Sequence, residues 1–255
     1  MAKKIQTEDQ TLDLVKLIPN MLTLTALCVG LTSVRFALGG HFKLAIIAIV
    51  IACFLDALDG KMARMLNASS GFGAQMDSLA DFFNFGIGPA FIVYFWRMNE
   101  VGIKGIAWLA VLLSAICMAI RLARFNMSLV EKDQNHPLIK YFFEGVPAPI
   151  IAGWITFPMI LYFQFGEGFY SNPLFITINC IIVSLLGAST IPTFSFKKMK
   201  IKKEYSYLVL MIFAIFIAGL VIKPWLTLSI MGFIYIIMIP TSILTYFKIK
   251  NNLKK

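Results

Sequence analysis

Residues 56–64 read DALDGKMAR and residues 73–81 read GAQMDSLAD, with eight residues between the two segments. Long apolar stretches flank both segments, which indicates that this acidic cluster lies inside a membrane domain. Its members are Asp56, Asp59, Asp77 and Asp81. An ionisable side chain at membrane depth costs about 2.5–3.5 kcal/mol, so it persists where it faces a polar cavity and has a partner. The pattern therefore predicts one polar site that all four carboxyl groups share.

The composition supports a membrane protein. Of 255 residues, 59% are hydrophobic and 14% are charged, whereas a soluble domain is about half apolar and about a quarter charged. We predict an all-α integral membrane protein, a single domain over residues 1–255, in which 17–165 form the catalytic part and 174–247 add further transmembrane helices. The predicted spans, each near the roughly 20 residues that cross a bilayer, are 19–38, 43–66, 72–97, 103–126, 145–165, 174–195, 206–222 and 225–247.

The distribution of basic residues predicts the orientation. Most of the 23 lysine and arginine residues fall in alternate segments between the predicted spans, including KKMKIKK at 197–203. The positive-inside rule then places both termini and the acidic cluster on the cytoplasmic side of a bacterial or archaeal cell membrane. Lys3 and Lys4 resemble the start of a signal peptide, but acidic residues follow and no small-residue cleavage site is present. The first apolar segment is therefore expected to stay as a helix.

Charge and cysteine distribution argue against nucleic-acid binding and against a disulfide framework or zinc site. The net charge of +10 could suggest nucleic acid, but the basic residues lie between apolar spans, where they meet anionic lipid headgroups. We therefore expect membrane lipids and no nucleic acid as partners. The four cysteines lie in different apolar segments without a C-x-x-C pair, so neither a disulfide framework nor a zinc site is expected.

The acidic cluster itself predicts a divalent-metal site. Only Lys61 and Arg64 are near in sequence, so ion pairing alone leaves two of the four negative charges unbalanced. Hard cations such as Mg²⁺, Mn²⁺ or Ca²⁺ prefer carboxylate oxygens, and the chain has only two histidines, both remote. Acids in membrane helices also mark ion pathways, so a cation transporter is an alternative. All four acids lie in one hairpin without a counterpart in the second half of the chain, which favours an enzyme.

Helical spacing places these groups on common faces. Asp56 and Asp59 are three residues apart, and Gly73 precedes Asp77 and Asp81 at intervals of four. Two short rows of carboxylates can thus face each other across a helical hairpin. Gly60 and Ala63 lie on or beside the Asp56 face, where their small size would let a phosphate-bearing ligand approach the backbone.

The complete pattern, D-x2-D-G-x2-A-R-x8-G-x3-D-x3-D, resembles the signature of the CDP-alcohol phosphatidyltransferases. The resemblance implies that Asp56, Asp59 and Asp77 bind metal. It implies that Asp81 helps to hold a second ion and acts as the base that deprotonates the acceptor alcohol. It further implies a homodimer and a CDP-binding pocket lined by Asp56, Gly60, Ala63, Arg64, Gly73 and Asp77.

The flanking sequence bears on the acceptor, which the signature alone leaves open among glycerol 3-phosphate, inositol phosphate, serine and choline. Four segments resemble the phosphatidylserine synthases of this family: IPNMLTL at 18–24, FFNFGIGPA at 82–90, RLARFN at 121–126 and EGVPAPIIAG at 144–153. Gly88 replaces the usual alanine and Lys61 stands where arginine is frequent, and neither position is a metal ligand. This resemblance implies CDP-diacylglycerol and L-serine as substrates, with another acceptor alcohol as the alternative.

Two arginines offer a physical basis for serine. Arg121 and Arg124 lie three residues apart at the predicted cytoplasmic end of span four, and a guanidinium can bind a carboxylate through two hydrogen bonds. Serine has a carboxylate, whereas glycerol and inositol do not. The same arginines could instead anchor the helix end or bind lipid phosphate. Asn84 and Asn126 are further candidates for the serine pocket.

Overall fold

A computed structural model of the chain describes residues 14–68, 70–103, 105–130, 142–194 and 205–252, and these residues are mostly helical. The α-helices are α1 (Ile18–Leu38), α2 (Phe42–Met65), α3 (Gly71–Asp81), α4 (Gly88–Trp96), α5 (Ile106–Val130), α6 (Ala148–Ile155), α7 (Phe157–Phe165), α8 (Pro173–Ala188), α9 (Ser206–Ile222) and α10 (Pro224–Asn252). The antiparallel strands β1 (Phe142–Glu144) and β2 (Pro192–Phe194) form a small sheet. Single turns of 3-10 helix cover Leu14–Leu17, Met98–Glu100 and Phe169–Ser171.

Helices occupy all eight of the predicted spans, and four of them are long and apolar enough to cross a membrane, or five if the bent pair α6–α7 counts as one span. The four are Ile18–Leu38, Gly71–Trp96, Ile106–Met127 and Pro224–Tyr246. Helix α2 has 24 residues but carries charged residues, including half of the acidic cluster. Helices α8 and α9 have 16 and 17 residues, fewer than the roughly 20 that a perpendicular crossing needs. A helical membrane protein is confirmed, and eight crossings stay a prediction.

The third predicted span is interrupted by a π-helical turn. Between α3 and α4, residues Phe82–Ile87 form this wider turn, and Pro89 follows at the start of α4. Proline has no backbone N–H, so Pro89 cannot donate the helical hydrogen bond to the carbonyl of Phe85. Inserted π-helical turns are frequent at functional sites, and this one begins directly after Asp81.

The fifth and sixth predicted spans also differ from continuous helices. Helices α6 and α7 meet at an angle of 48°, and Pro158 lies in the first turn of α7, where its ring disfavours a continued helix. The prediction that helix continues to residue 195 is wrong, because α8 ends at Ala188 and Pro192 opens strand β2. Proline disfavours the helical conformation in the residue before it, which is consistent with the helix ending early.

The first two helices form a tight hairpin. The residues of α1 that are buried beyond its first turn are all small and recur every three or four positions: Thr23, Ala26, Gly30, Ser33 and Ala37. Small side chains at this spacing let two helix backbones approach closely inside a membrane. The connection to α2 contains Gly40 with φ of +74°, a left-handed conformation that glycine adopts without strain.

The core of the domain lies among α4, α5, α6 and α8. Its fully buried side chains include Ile92 and Val93 of α4, Ala110 of α5, Ile155 of α6 and Ile176 of α8. By contrast, α9 buries none of its residues, and the apolar side chains described for α10 are all either exposed or half-buried. A lipid environment accounts for such exposure, because apolar side chains cost nothing there.

The small sheet joins distant parts of the chain. The Gly145 N–H donates to the Ile191 carbonyl at 2.9 Å, and the Thr193 hydroxyl donates to the Gly145 carbonyl at 2.7 Å. The Ser242 hydroxyl of α10 donates to the Pro192 carbonyl at 2.9 Å. The entry to α6, the exit from α8 and the last helix are thereby linked. The basic segment KKMKIKK at 197–203 and the N-terminal lysines, which contribute to the predicted orientation, lie outside the described residues.

Gly145 provides a test of this linkage. Its φ is +82°, and a Cβ there would lie 2.8 Å from the Ser189 carbonyl oxygen. Gly145→Ala should therefore cost about 1–3 kcal/mol and lower the apparent Tm of the detergent-solubilised protein by at least about 2 °C. Gly153→Ala is the matched control, because that position is helical and open, and alanine favours helix. Equal Tm values for the two variants would contradict the role of Gly145.

Candidate functional site

Three of the four aspartates converge in the structure. Asp56 and Asp59 project from α2 and Asp77 from α3, and each offers a carboxylate oxygen such that all three oxygens lie within 4.8 Å of one another. The side chain of Asp59 is buried, whereas Asp56 and Asp77 are half-buried. The predicted pairing of two carboxylate rows across the α2–α3 hairpin is confirmed for these three residues.

Helix α1 supplies a partner for the most buried of them. The Thr23 hydroxyl donates to Asp59 Oδ2 at 2.5 Å and also lies 3.1 Å from the Pro19 carbonyl. Only 5% of Thr23 is exposed, and 3% of Asp59. This hydrogen bond sets the orientation of the Asp59 carboxylate toward the two other aspartates. Loss of such a secondary contact typically weakens metal binding about 10–100-fold.

The fourth aspartate lies at the edge of the cluster. The carboxyl group of Asp81 is within hydrogen-bonding reach of that of Asp56, and it also interacts electrostatically with Asp77 and with Arg121 of α5. Its Oδ1 atom is buried and accepts no hydrogen bond from any of the described residues. An orphaned carboxylate oxygen in a buried position requires a partner, and a cation, a water or a substrate hydroxyl can supply one.

The donor set fits a hard divalent cation. Carboxylate ligands around Mg²⁺ or Ca²⁺ lie about 2.0–2.6 Å from the ion, so oxygens on opposite sides of one ion are about 4–5 Å apart. The spacing of up to 4.8 Å among Asp56, Asp59 and Asp77 matches that range. The group that could hold an ion consists of three carboxylate oxygens, and such a donor set favours magnesium, manganese or calcium over zinc or copper.

The other residues of the signature lie around this cluster. A Cβ at Gly60 would meet nothing within 4 Å, so the backbone of α2 is open there. At Gly73 a Cβ would lie 2.8 Å from Asn20 Oδ1 and 3.1 Å from the Ser70 hydroxyl, which caps α3 by accepting from the Gly73 N–H. Ala63 is half-buried and Arg64 is exposed in the last turn of α2. Gly60 thus borders open space, whereas Gly73 also serves close helix packing.

The two candidate arginines have different surroundings. Arg124 donates from Nη2 to the Ala188 carbonyl at 2.8 Å and from Nη1 to the Ser189 carbonyl at 3.4 Å, so its fork holds the C-terminal end of α8. Arg121 donates from Nε to the Val146 carbonyl at 3.0 Å. Within the described chain, no acceptor is bonded to the Nη atoms of Arg121. The guanidinium of Arg121 also interacts electrostatically with Asp81.

The two candidate asparagines also differ. Asn126 Nδ2 donates to the Ser78 hydroxyl at 3.0 Å and joins α5 to α3 next to Asp77. Asn84 lies in the π-helical turn with 1% of its surface exposed, and neither polar atom of its amide has a partner among the described residues. The amide rests on Gly30 of α1, where a Cβ would collide with it.

Sequence reasoning missed three contributors to the site. Thr23 and Asn20 lie in the IPNMLTL segment, which carries the family resemblance but gives no sign that Thr23 contacts Asp59 or that Asn20 lies against Gly73. Ser78 stands directly after Asp77 but binds Asn126 across the helix interface. The signal that could have pointed to Thr23 is its place in a row of small residues spaced three and four apart along the first span.

Comparisons with known proteins identify the family of the chain. The family model described as CDP-alcohol phosphatidyltransferase matches residues 16–191, which include every site residue discussed above. A second model, CDP-alcohol phosphatidyltransferase 2, matches residues 204–240.

Several curated relatives are similar over most of the chain. A CDP-diacylglycerol–serine O-phosphatidyltransferase of Mycobacterium leprae is 36% identical over 229 residues, 90% of this chain and 75% of the relative. One of Helicobacter pylori is 34% identical over 223 residues, 87% of this chain and 88% of the relative. An archaetidylserine synthase of Methanothermobacter thermautotrophicus is 32% identical over 176 residues, 68% of each chain. With its acidic cluster assembled between α2 and α3, the chain belongs to the CDP-alcohol phosphatidyltransferase family.

Proposed function

We propose that this protein transfers the phosphatidyl group of CDP-diacylglycerol to the hydroxyl group of L-serine and releases CMP. The convergence of Asp56, Asp59 and Asp77 beside the orphaned Asp81 oxygen is the observation that carries the transferase chemistry. The serine acceptor is supported by relatives at 34–36% identity that are named CDP-diacylglycerol–serine O-phosphatidyltransferases.

The acidic cluster would hold two divalent cations, Mg²⁺ or Mn²⁺. Asp56, Asp59 and Asp77 offer the oxygens for the first, and Asp81, next to Asp56, would join them for the second. When bound, such ions neutralise a pyrophosphate and stabilise a departing phosphate oxygen. Thr23 contributes by holding the Asp59 carboxylate in one orientation.

In the proposed reaction Asp81 acts as the general base. Its free oxygen accepts the proton of the serine hydroxyl while that hydroxyl oxygen forms a bond to the phosphorus that carries diacylglycerol. The bond from this phosphorus to the bridging oxygen breaks, and CMP leaves with the electron pair. Proton transfer by a positioned carboxylate contributes about 10²–10⁴-fold to a rate. No covalent intermediate on the protein is required, because positioning and charge stabilisation dominate phosphoryl transfer.

The CDP-binding pocket would lie against the open backbone of α2. Gly60 has no neighbour within 4 Å of a Cβ, so a phosphate or a ribose can approach the helix there. Ala63 follows on the same side, and Arg64 in the last turn supplies a positive charge. Asp56 and Asp77 would contact CDP through the cations. Gly73 lies in the first turn of α3, four residues before Asp77 and thus on the same face of that helix.

The site is proposed to face the cytoplasm from a cytoplasmic membrane, in a protein with eight spans, both termini inside, and a homodimeric assembly. Asp59 lies six residues before the end of α2, about 9 Å along the axis at 1.5 Å per residue. Lys61 and Arg64 follow on that side, and the positive-inside rule assigns such an end to the cytoplasm. The homodimer rests on the family resemblance.

The acceptor assignment is tested by a direct screen. Purified protein is incubated with CDP-diacylglycerol, Mn²⁺ and one alcohol at a time, and CMP release and the lipid product are measured. L-Serine should give phosphatidylserine at a rate at least about 100-fold above that with glycerol 3-phosphate, inositol phosphate or choline, because polar recognition groups left unpaired penalise a wrong substrate strongly. Faster turnover with any other alcohol would replace serine as the acceptor.

The role of Asp81 is tested by Asp81→Asn. The amide keeps the size of the side chain but cannot accept the proton, so turnover should fall by about 10²-fold or more. Metal-dependent binding of CDP-diacylglycerol should remain measurable, since Asp56, Asp59 and Asp77 are intact. Asp77→Asn serves as the comparison and should weaken metal-dependent binding as well. Unchanged turnover of Asp81→Asn would refute the assignment of the base.

The hydrogen bond from α1 predicts a metal-specific defect. Thr23→Val removes the donor to Asp59 at nearly constant volume, and loss of such a secondary contact weakens metal affinity about 10–100-fold. The Mn²⁺ concentration for half-maximal activity should rise by that factor. Thr25→Val is the matched control, because the Thr25 hydroxyl donates to the Met21 carbonyl on an exposed face of the same helix. A similar shift in both variants would show that Thr23 acts through helix stability instead.

A further inference from the structure

We infer that Arg121, Asp81 and Asn84 form a three-point recognition site for the amino-acid acceptor, in which they receive its carboxylate, hydroxyl and ammonium groups respectively. The inference rests on the proposed function and assigns one residue to each polar group of serine. It also separates Arg121 and Asn84 from Arg124 and Asn126, which sequence alone treats as equivalent.

The carboxylate is assigned to Arg121 by what its guanidinium leaves free. Its Nε is bonded to the Val146 carbonyl, which fixes the plane of the group, while both Nη atoms lack an acceptor within the described chain. The guanidinium lies in electrostatic range of Asp81. Two N–H groups of a guanidinium match the two oxygens of a carboxylate. Arg124 cannot serve in this way without giving up the Ala188 and Ser189 carbonyls.

The ammonium is assigned to Asn84. Only 1% of the surface of Asn84 is exposed. Its Oδ1 and Nδ2 atoms both lack a hydrogen-bond partner in the described part of the chain. Buried polar groups in folded proteins almost always have a hydrogen-bond partner, so this amide is built to meet one. A neutral amide oxygen accepts from an ammonium group without adding a fifth negative charge to the acidic cluster.

The placement of Asn84 relative to Asp81 supports a shared ligand. Asn84 follows Asp81 by three residues, within one turn of the π-helical segment that begins at Phe82. The Asp81 Oδ1 atom and the Asn84 amide, both buried and both without a partner among the described residues, thus belong to neighbouring positions of one helical turn. Gly30 of α1 makes room for the amide, because any side chain at that position would collide with it. Arg121 approaches Asp81 from α5 and completes the three points.

The test compares L-serine with two analogues that each lack one group. 3-Hydroxypropionate lacks the ammonium and ethanolamine lacks the carboxylate, while both keep the primary hydroxyl. Each is assayed as a substrate by CMP release and as a competitive inhibitor against L-serine, so an analogue that is bound without turnover still reports its affinity.

Asn84→Leu should lower kcat/KM for L-serine by about 10- to 100-fold, the effect of losing a hydrogen bond to a charged group. It should leave the kcat/KM or the inhibition constant of 3-hydroxypropionate within about threefold, because that analogue has no ammonium to lose. Arg121→Gln should show the complementary pattern, with a similar loss for L-serine and little change for ethanolamine. Asn84→Ala is the second variant in case leucine does not fit beside Gly30, and the same split is expected.

The controls are the other members of the predicted set. Arg124→Gln and Asn126→Ala break contacts within the protein, so any loss should affect L-serine and both analogues alike. The KM for CDP-diacylglycerol reports folding in every variant. If wild-type protein does not use L-serine at all, the proposed function fails. If it does, but Asn84→Leu and Asn84→Ala lower L-serine and 3-hydroxypropionate equally, Asn84 has only a structural role and the inference is overturned.

Discussion

The arrangement of this protein depends on the high cost of carboxylate groups at membrane depth. Four aspartates meet at the α2–α3 hairpin, where each would repel the others and lose hydration. The cluster therefore requires a positively charged partner. The oxygens of Asp56, Asp59 and Asp77 lie at the spacing that one divalent cation bridges. The same charge that makes the cluster costly in apolar surroundings attracts the cations that a pyrophosphate substrate needs.

Helix α1 carries no acidic residue in its described part, yet it shapes the site on one face. Thr23 orients Asp59, Asn20 lies against Gly73, and Gly30 leaves room for Asn84. The small residues along this face allow α1 to pack closely against its neighbours, and the same closeness brings these contacts within hydrogen-bond length. The small residues spaced three and four apart along α1 thus account both for its close packing and for its contacts with the site.

The π-helical turn after Asp81 separates two kinds of environment along one span. Before it, α3 carries Asp77 and Asp81 toward the acidic cluster. After it, α4 packs into the apolar core with Ile92 and Val93 fully buried. The wider turn leaves Asn84 inside and directs the Gly86 carbonyl to the Ser114 hydroxyl of α5 at 3.0 Å. A regular α-helix would rotate the residues after Asp81 differently. The π-helical turn therefore determines the direction in which Asn84 and the side chains after it project.

The sequence by itself determined the helical membrane class, the family signature and the identity of the acidic cluster, because hydropathy and residue spacing are local properties that helix geometry converts directly into faces. It could not predict that α8 would end at Ala188 and give way to strand β2, since the partner strand β1 is 48 residues away. Nor could it separate Arg121 from Arg124, which share one helix and one chemistry. Only the tertiary structure decided that Arg124 meets the end of α8 while Arg121 lies near Asp81, because hydrogen-bond partners from distant segments are set by how the helices pack.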